Sequence, residues 1–486
     1  MVEPQPLRPI SLTHSYKILS TLNTNKSLKF VYPARCEPYT YIRIESVGKR
    51  KDIAMICENI TIGANGHLHF AGQDTVALAK QYGTPLYLLD EDYIRHQCRV
   101  YQNAFKKHFG PSSRPLYASK ANAFKRIYEI MKEEGMGIDV VSSGEIYTAL
   151  QAGYDLSHAY FHSNNKTDGD IVYGMDNHIG YFVADNVEEI KAIEAEAGRR
   201  GIKQKVLLRL TPGIDPHTYE AISTGKVDSK FGSAVETGQA EEITVFTLAQ
   251  PHVELMGFHC HVGSQVFGED IFERAAVIML EFIAAMKEKH GYMAQQLDLG
   301  GGYGVRYVES DPFLDVDTKV SQVAAAIQAA CKRLNIEMPE IHMEPGRSIV
   351  GAAGMTLYTC GTVKKIPGYK NYVSIDGGMP DNPRYALYKA NYTCLLANKM
   401  NEKCDFEASV VGRCCESGDI IQEHVMLPAS VGRGDTVAVC TTGAYNYSMA
   451  SNYNRLPRPA TVMLSGGKSY IAIRRETFED LCACDL

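Results

Sequence analysis

The tripeptide Ser119-Lys120-Ala121 closes the apolar run Arg114-Pro-Leu-Tyr-Ala, and a lysine so placed can do chemistry that a solvated one cannot. Desolvation at the end of a hydrophobic strand favours the neutral, nucleophilic amine, which condenses with an aldehyde to form a Schiff base. The plain alternative is a surface charge, so the reading rests on what else the chain supplies. Gly300-Gly-Gly-Tyr-Gly304 follows the strand-like Gln296-Leu-Asp-Leu299, and glycines at such a turn let backbone N–H groups approach a phosphate closely. The run lacks the Gly-Lys-Ser/Thr of a P-loop, and Val305 stands where a dinucleotide fingerprint has Gly or Ala.

His261-Val-Gly-Ser264-Gln265 offers a flat imidazole to stack on an aromatic ring and a hydroxyl to donate to phosphate. His259, one strand period earlier, reads as a core histidine. Glu344-Pro-Gly-Arg347 sets a carboxylate on a strand and a guanidinium on the turn beyond it. The carboxylate can pair with a protonated pyridine nitrogen and the guanidinium with a carboxylate or phosphate; the alternative is a salt bridge on a rim.

These groups need a scaffold that brings distant positions together, and the hydrophobic pattern supplies one. Eight β-type runs begin at Leu116, Gly137, Ala159, Tyr181, Val206, Leu255, Gln296 and Ile341, each followed by a stretch of helical periodicity such as 187–199. Eight βα units close a (β/α)8 barrel, assigned to 91–350. The strands end on Lys120, Asp139, His162, Asp185, Arg209, His261, Gly300 and Glu344, and the C-terminal strand ends are where barrel active sites lie. Taken singly, His162 and Asp185 read as satisfied rim groups. After about residue 350 the chain turns to Val/Ile/Thr/Tyr-rich strands with Gly, Pro and Asn turns, which predicts a β-sandwich-like all-β domain over 351–486. Residues 55–90 are expected to join that domain from the N-terminal side, and 1–54, poor in acids and in apolar periodicity, to be a peripheral or disordered extension.

With 486 residues, 45% hydrophobic and 22% charged, the composition is that of a two-domain globular protein. A net charge of -6 without a basic stripe gives no electrostatic case for nucleic acid. Thirteen cysteines with no Cys-x-x-Cys pair and no secretory signal indicate neither a disulfide framework nor a zinc site. No apolar run approaches a membrane span, so the expected compartment is the cytoplasm and the expected partners are small molecules.

From about Gly72 onward the chain resembles the fold type III pyridoxal-phosphate decarboxylases, and within them the diaminopimelate decarboxylases. The resemblance is carried by Tyr117-Ala-Ser-Lys-Ala-Asn122, His261-Val-Gly-Ser-Gln265, Gly300-Gly-Gly302, Glu344-Pro-Gly-Arg-Ser348, Cys415-Glu-Ser-Gly-Asp419, Gly443-Ala-Tyr445 and Ser451-Asn-Tyr-Asn454, in that order. It implies pyridoxal 5'-phosphate held by Lys120 as the Schiff-base lysine, with His261 stacked on the ring and Glu344 at the pyridine nitrogen. Gly301, Gly302, Ser264, Gly346, Arg347 and Tyr445 are the implied phosphate ligands. Arg347, Arg384 and Tyr388, with Tyr445, are the implied groups for the distal carboxylate of the substrate. Cys415 is the implied proton donor, and Glu416 reads the distal ammonium. The family also implies a two-fold homodimer in which Cys415 and Glu416 enter the neighbouring subunit's site. Tyr385, where proline is usual, and Arg413-Cys414, where a small or apolar pair is commoner, depart from the pattern and bear on loop geometry.

The implied reaction converts meso-2,6-diaminopimelate to L-lysine and CO2. Rivals are a related decarboxylase of ornithine, arginine or carboxynorspermidine, and, from another class, an inactive decarboxylase-like regulatory protein. Arg384 with Glu416 argues against ornithine and arginine, because a tail ending in a cation needs acids and no arginine. Retention of Lys120 and Cys415 argues against the inactive protein.

Overall fold

The computed structural model describes residues 56–214, 229–268 and 270–486; the extension 1–54 lies outside the described residues. Eight parallel strands, Arg114–Ala118, Gly137–Val140, Ala159–Phe161, Tyr181–Ala184, Gln204–Thr211, Val253–His259, Gln296–Asp298 and Glu340–Met343, pair in chain order. The eighth pairs with the first and closes the barrel. The expected eight strands are thus the observed ones. Most of their residues are buried, as those of parallel strands covered on both faces must be.

Helices follow the barrel strands, among them Lys125–Glu133, Val187–Arg200, Ile271–His290 and Val316–Leu334. The ring is completed by Glu91–His108, which precedes the first strand and packs on Val316–Leu334. Val187–Arg200 shows why such segments are helical. Asn186 accepts from the Glu189 amide, Glu188 and Glu189 face the positive N-terminal end, Arg199 and Arg200 the negative end, and Gly201 ends the helix in the left-handed region at φ 67°. Its Ile190, Ile193 and Ala197 are buried in the barrel's outer core.

The β-domain is a mixed sheet in the path Ile420–Pro428, Cys404–Val411, Lys370–Ile375, Gly354–Ile366, Leu86–Asp90, Ala460–Ser465, Lys468–Ile473, with Cys394–Leu396 and Thr436–Cys440 joined beside it. Successive side chains of Gly354–Ile366 serve different cores. Met355 and Leu357 pack with Leu86, Leu88, Val462 and the small sheet around Leu68 and Phe70, whereas Tyr358 and Cys360 pack with Val373, Val410 and Ile421. Leu86–Asp90 runs antiparallel to Gly354–Ile366 and parallel to Ala460–Ser465.

Candidate active site

The chemistry-bearing strand ends converge on the barrel mouth. Solvent reaches Lys120 although packed groups surround it, and its neighbours Ser119, Ala121 and Asn122 are buried. The sequence reading expects desolvation to neutralise this amine, and the structure corrects that. Burial does oppose the charge, but Asp139, Tyr445 and Glu344 outweigh it and raise the Lys120 pKa above its ordinary value. Before a cofactor is attached, the cavity holds an ammonium.

Glu344 sits in a cluster with His162, His259 and Asp298, whose ligating atoms lie within 4.8 Å of one another and which are all buried. His162 Nε2 is 2.8 Å and His259 Nε2 3.4 Å from the same oxygen, Glu344 Oε1. Burial would raise Glu344, yet the two histidines hold its pKa well below the usual carboxylate range. Asp298 and Asp139 move the other way, raised by burial and then by the nearby Glu344 charge. Burial pushes His259 down to about 4. One carboxylate is therefore kept ionised and two beside it are pushed toward the protonated form, a division of labour set by neighbours and not by residue type. His162, read from sequence as a rim group, and His259, read as core, both belong to this cluster; Asp185, 4.0 Å from Arg209 and accepting the Gly232 amide, keeps its rim character.

The turn residues also meet the β-domain. Arg347 donates from Nη2 to Ser264 Oγ at 2.9 Å and from Nη1 to Tyr307 Oη at 2.5 Å. Arg384 donates from Nη1 to the same Tyr307 oxygen at 2.8 Å and to Tyr392 Oη at 3.1 Å. Both guanidiniums lie over the Tyr445 ring, at 4.7 and 5.6 Å, and the Tyr445 amide donates to Ala121 O at 2.7 Å. Tyr445 thus links the arginine pair to the Lys120 turn. The glycine turn packs close by. A Cβ on Gly301 would fall 2.1 Å from Glu344 O, and one on Gly302, at φ 123°, 2.1 Å from Gly263 O, so only glycine fits. A Cβ on Gly346 would fall 2.8 Å from Ala118 Cβ.

The remaining predicted residues lie on the β-domain. Tyr388 is partly buried at the end of the short helix Arg384–Tyr388. Cys415 and Glu416 are exposed on the loop between Cys404–Val411 and Ile420–Pro428; the Cys415 amide donates to Asn454 Oδ1 at 2.9 Å, and Glu416 Oε1 accepts from Ser417 and Gly418. The departures from the family pattern are absorbed locally. The Tyr385 hydroxyl donates to Glu423, the Arg413 amide to Gly377 O and the Cys414 amide to Asp419 Oδ2. Sequence reasoning named Asp139 and Arg209 only as strand ends and missed Tyr307 and Tyr392. The signal for Tyr307 was its place three residues past the glycine run.

This donor set fits pyridoxal phosphate: an ammonium at a cavity wall, an ionised carboxylate backed by histidines, an imidazole at His261, and Ser264, Arg347 and Tyr445 grouped at the mouth. Comparison with known proteins agrees. The family model "Pyridoxal-dependent decarboxylase, pyridoxal binding domain" matches residues 91–351. Diaminopimelate decarboxylase of Bacillus subtilis (strain 168) is 42% identical over 422 residues, 87% of this chain and 96% of its own, and that of Staphylococcus aureus (strain COL) 44% over 421 residues, 87% and 98%. The crystal structure of diaminopimelate decarboxylase from M. jannaschii in complex with L-lysine matches with a TM-score of 0.81 at 33% identity, over 88% of this chain and 98% of that one. Similarity of this extent, over a barrel whose mouth carries the lysine, glycine and arginine motifs in place, makes the chain a member of the diaminopimelate decarboxylase family of pyridoxal-dependent decarboxylases.

Proposed function

We propose that the Lys120–Glu344 cavity, with Arg347 and Arg384 at its far side, is the site at which this chain decarboxylates meso-2,6-diaminopimelate to L-lysine and CO2. The observation that carries the substrate is the meeting of two buried guanidiniums on one oxygen, Tyr307 Oη. A paired cation of this kind suits a substrate whose far end bears a carboxylate and is wrong for one ending in an amine or guanidinium.

Pyridoxal 5'-phosphate, when bound, supplies the carbonyl that Lys120 and then the substrate amine occupy, and a ring that accepts the electron pair left behind by CO2. Lys120 anchors the group, with Asp139 and Glu344 stabilising its ammonium once it is released. Glu344, kept ionised by His162 and His259, holds the proton on the pyridine nitrogen. His261 would stack on the ring. Ser264, Gly301, Gly302, Gly346, Arg347 and Tyr445 receive the phosphate. Arg347, Arg384, Tyr388 and Tyr445 receive the distal carboxylate, which orients the other carboxylate for loss.

Cys415 delivers the proton to the carbon that lost CO2, and Glu416 pairs with the distal ammonium. Both act from a second copy of the chain, so each site of a homodimer is shared. Their exposure on a loop held by Asn454 and Asp419 supports this reading, because groups meant for a neighbour's cavity must face outward. We place the enzyme in the cytoplasm; among the described residues no helix is long and apolar enough to cross a membrane. The test is direct: purified protein with pyridoxal phosphate is offered meso-diaminopimelate, ornithine, arginine, lysine and carboxynorspermidine, and CO2 and products are measured. CO2 with L-lysine from the first alone is expected; faster release from ornithine or arginine would overturn the substrate.

A further inference from the structure

Tyr307 is 5% exposed and fixed at both backbone atoms, its amide donating to Asp311 at 2.9 Å and its carbonyl accepting from Thr393 Oγ1 at 3.0 Å. Its hydroxyl is the oxygen on which Arg347 Nη1 and Arg384 Nη1 meet. Two guanidiniums sharing one acceptor are like charges held side by side, an arrangement that repulsion opposes and that a bridging oxygen offsets. The ring contributes as well, since both guanidiniums lie over it, at 5.7 and 5.3 Å from its centre. Tyr392 takes a second bond from Arg384 and passes its own proton to Asn446 Oδ1 at 3.2 Å, which fixes Arg384 from the other flank.

We propose that Tyr307 is a positioning residue for substrate selection, its hydroxyl tying Arg347 and Arg384 into one unit whose remaining N–H groups face a carboxylate at the far end of the substrate. The proposal rests on the reading of these arginines as the distal-carboxylate site. Each guanidinium has five N–H groups, so bonding to Tyr307, Ser264 and Tyr392 still leaves donors on both. The electrostatics agree: burial alone would raise the Tyr307 phenol, but Arg347 and Arg384 hold it below its ordinary value, so the oxygen is a strong acceptor. Without the tie, the two cations relax apart or recruit water, and a carboxylate then has to assemble its own site at the expense of affinity.

The test uses the pyridoxal-phosphate-loaded enzyme and two inhibitors competing with meso-diaminopimelate: L-lysine, which keeps a carboxylate at one end, and pentane-1,5-diamine, which has none. Tyr307→Phe should weaken L-lysine about tenfold or more while moving the diamine by less than about threefold, because only the carboxylate uses the tied pair. The KM for meso-diaminopimelate should rise with that loss, while kcat and the visible absorbance of the bound cofactor stay near wild type. Arg384→Met is measured beside it. If Arg384→Met abolishes the preference for lysine over the diamine and Tyr307→Phe leaves it intact, the tie is overturned and the arginine reading stands. If neither changes the preference, the arginine reading falls and the proposal falls with it. Should Tyr307→Phe fail to fold, Tyr307→Gln, whose shorter side chain cannot reach both guanidiniums, takes its place. A preference reduced toward the Arg384→Met level in that chain supports the tie, and a wild-type preference overturns it.

Discussion

The barrel mouth and the Cys415 loop hold the two halves of the proposed chemistry in opposite ways. Around Lys120 and Glu344 the charges act on one another inside the chain, and burial makes those interactions strong enough to shift protonation. Cys415 and Glu416 instead stand exposed on a loop whose support lies beneath it, at Asp419 and Asn454. The contrast separates what one chain completes by folding from what it offers outward. In the proposed reading, cofactor chemistry belongs to the first class, and proton delivery and ammonium recognition to the second.

The most severe way to break the first half is to remove its amine. Lys120→Ala should abolish the visible absorbance of lysine-bound cofactor and lower turnover on the order of 1,000-fold or more, since no other strand end supplies a primary amine. A borohydride-reducible adduct persisting at this site would refute the assignment. The second half is tested by mixing that variant with Cys415→Ala under conditions that allow subunit exchange. In a two-fold dimer each mixed pair rebuilds one complete site, so activity should return to about a quarter of wild type. No recovery despite demonstrated exchange would place both groups in one chain's site.

Glu416→Gln sharpens the comparison with a smaller change. It preserves volume and removes a charge partner, so kcat/KM for meso-diaminopimelate should fall by about 1.5–3 kcal/mol while cofactor affinity holds. Equal turnover would mean that Glu416 does not read the ammonium.

The smallest expected effect concerns the support under the loop. Asp381 accepts from the Tyr358 hydroxyl and from the Gly378 amide at 3.1 Å, beside the Gly377 carbonyl that takes the Arg413 amide. Burial pushes its pKa up to about 7. A carboxyl raised in the folded state binds its proton more tightly there than in the unfolded chain. Its contribution is therefore fully present below about pH 4 and is lost as the pH rises through about 7. Wild type should lose on the order of 1–3 kcal/mol between those limits relative to Asp381→Asn, which has no such proton. Parallel pH curves for the two proteins, measured by denaturant unfolding, would remove Asp381 from this role.

How far the sequence carried depended on whether a feature was local. Barrel strands are short apolar runs, and their polar last residues are visible in one dimension, so the eight strands and the glycine turn were legible. The sign of the Lys120 shift was not. Burial can be read from neighbours in sequence, but the opposing charges of Asp139 and Glu344 arrive from other strands. For the same reason His162 looked like a rim group until the closed barrel brought it 2.8 Å from Glu344. Tyr307 looked like any tyrosine after a turn until the β-domain delivered Arg384 to its hydroxyl.

The strand Leu86–Asp90 carries a consequence for how the chain is made. It leads directly into the helix Glu91–His108 of the barrel, yet its sheet partners are Gly354–Ile366 and Ala460–Ser465. A ribosome therefore releases this strand, which opens Leu-Tyr-Leu-Leu, before the barrel and delivers its last neighbour about 370 residues later, roughly 20–70 s at about 5–20 residues per second. Throughout that interval the nascent chain carries an edge with unmatched amides and carbonyls, the kind of surface that recruits wrong partners. No single cut can then divide the polypeptide into a barrel piece and a sheet piece that each mature alone. The order of translation makes the carboxyl-terminal hairpin the closing step of biogenesis, and a chain truncated before Ala460 leaves its amino-terminal strand without one flank.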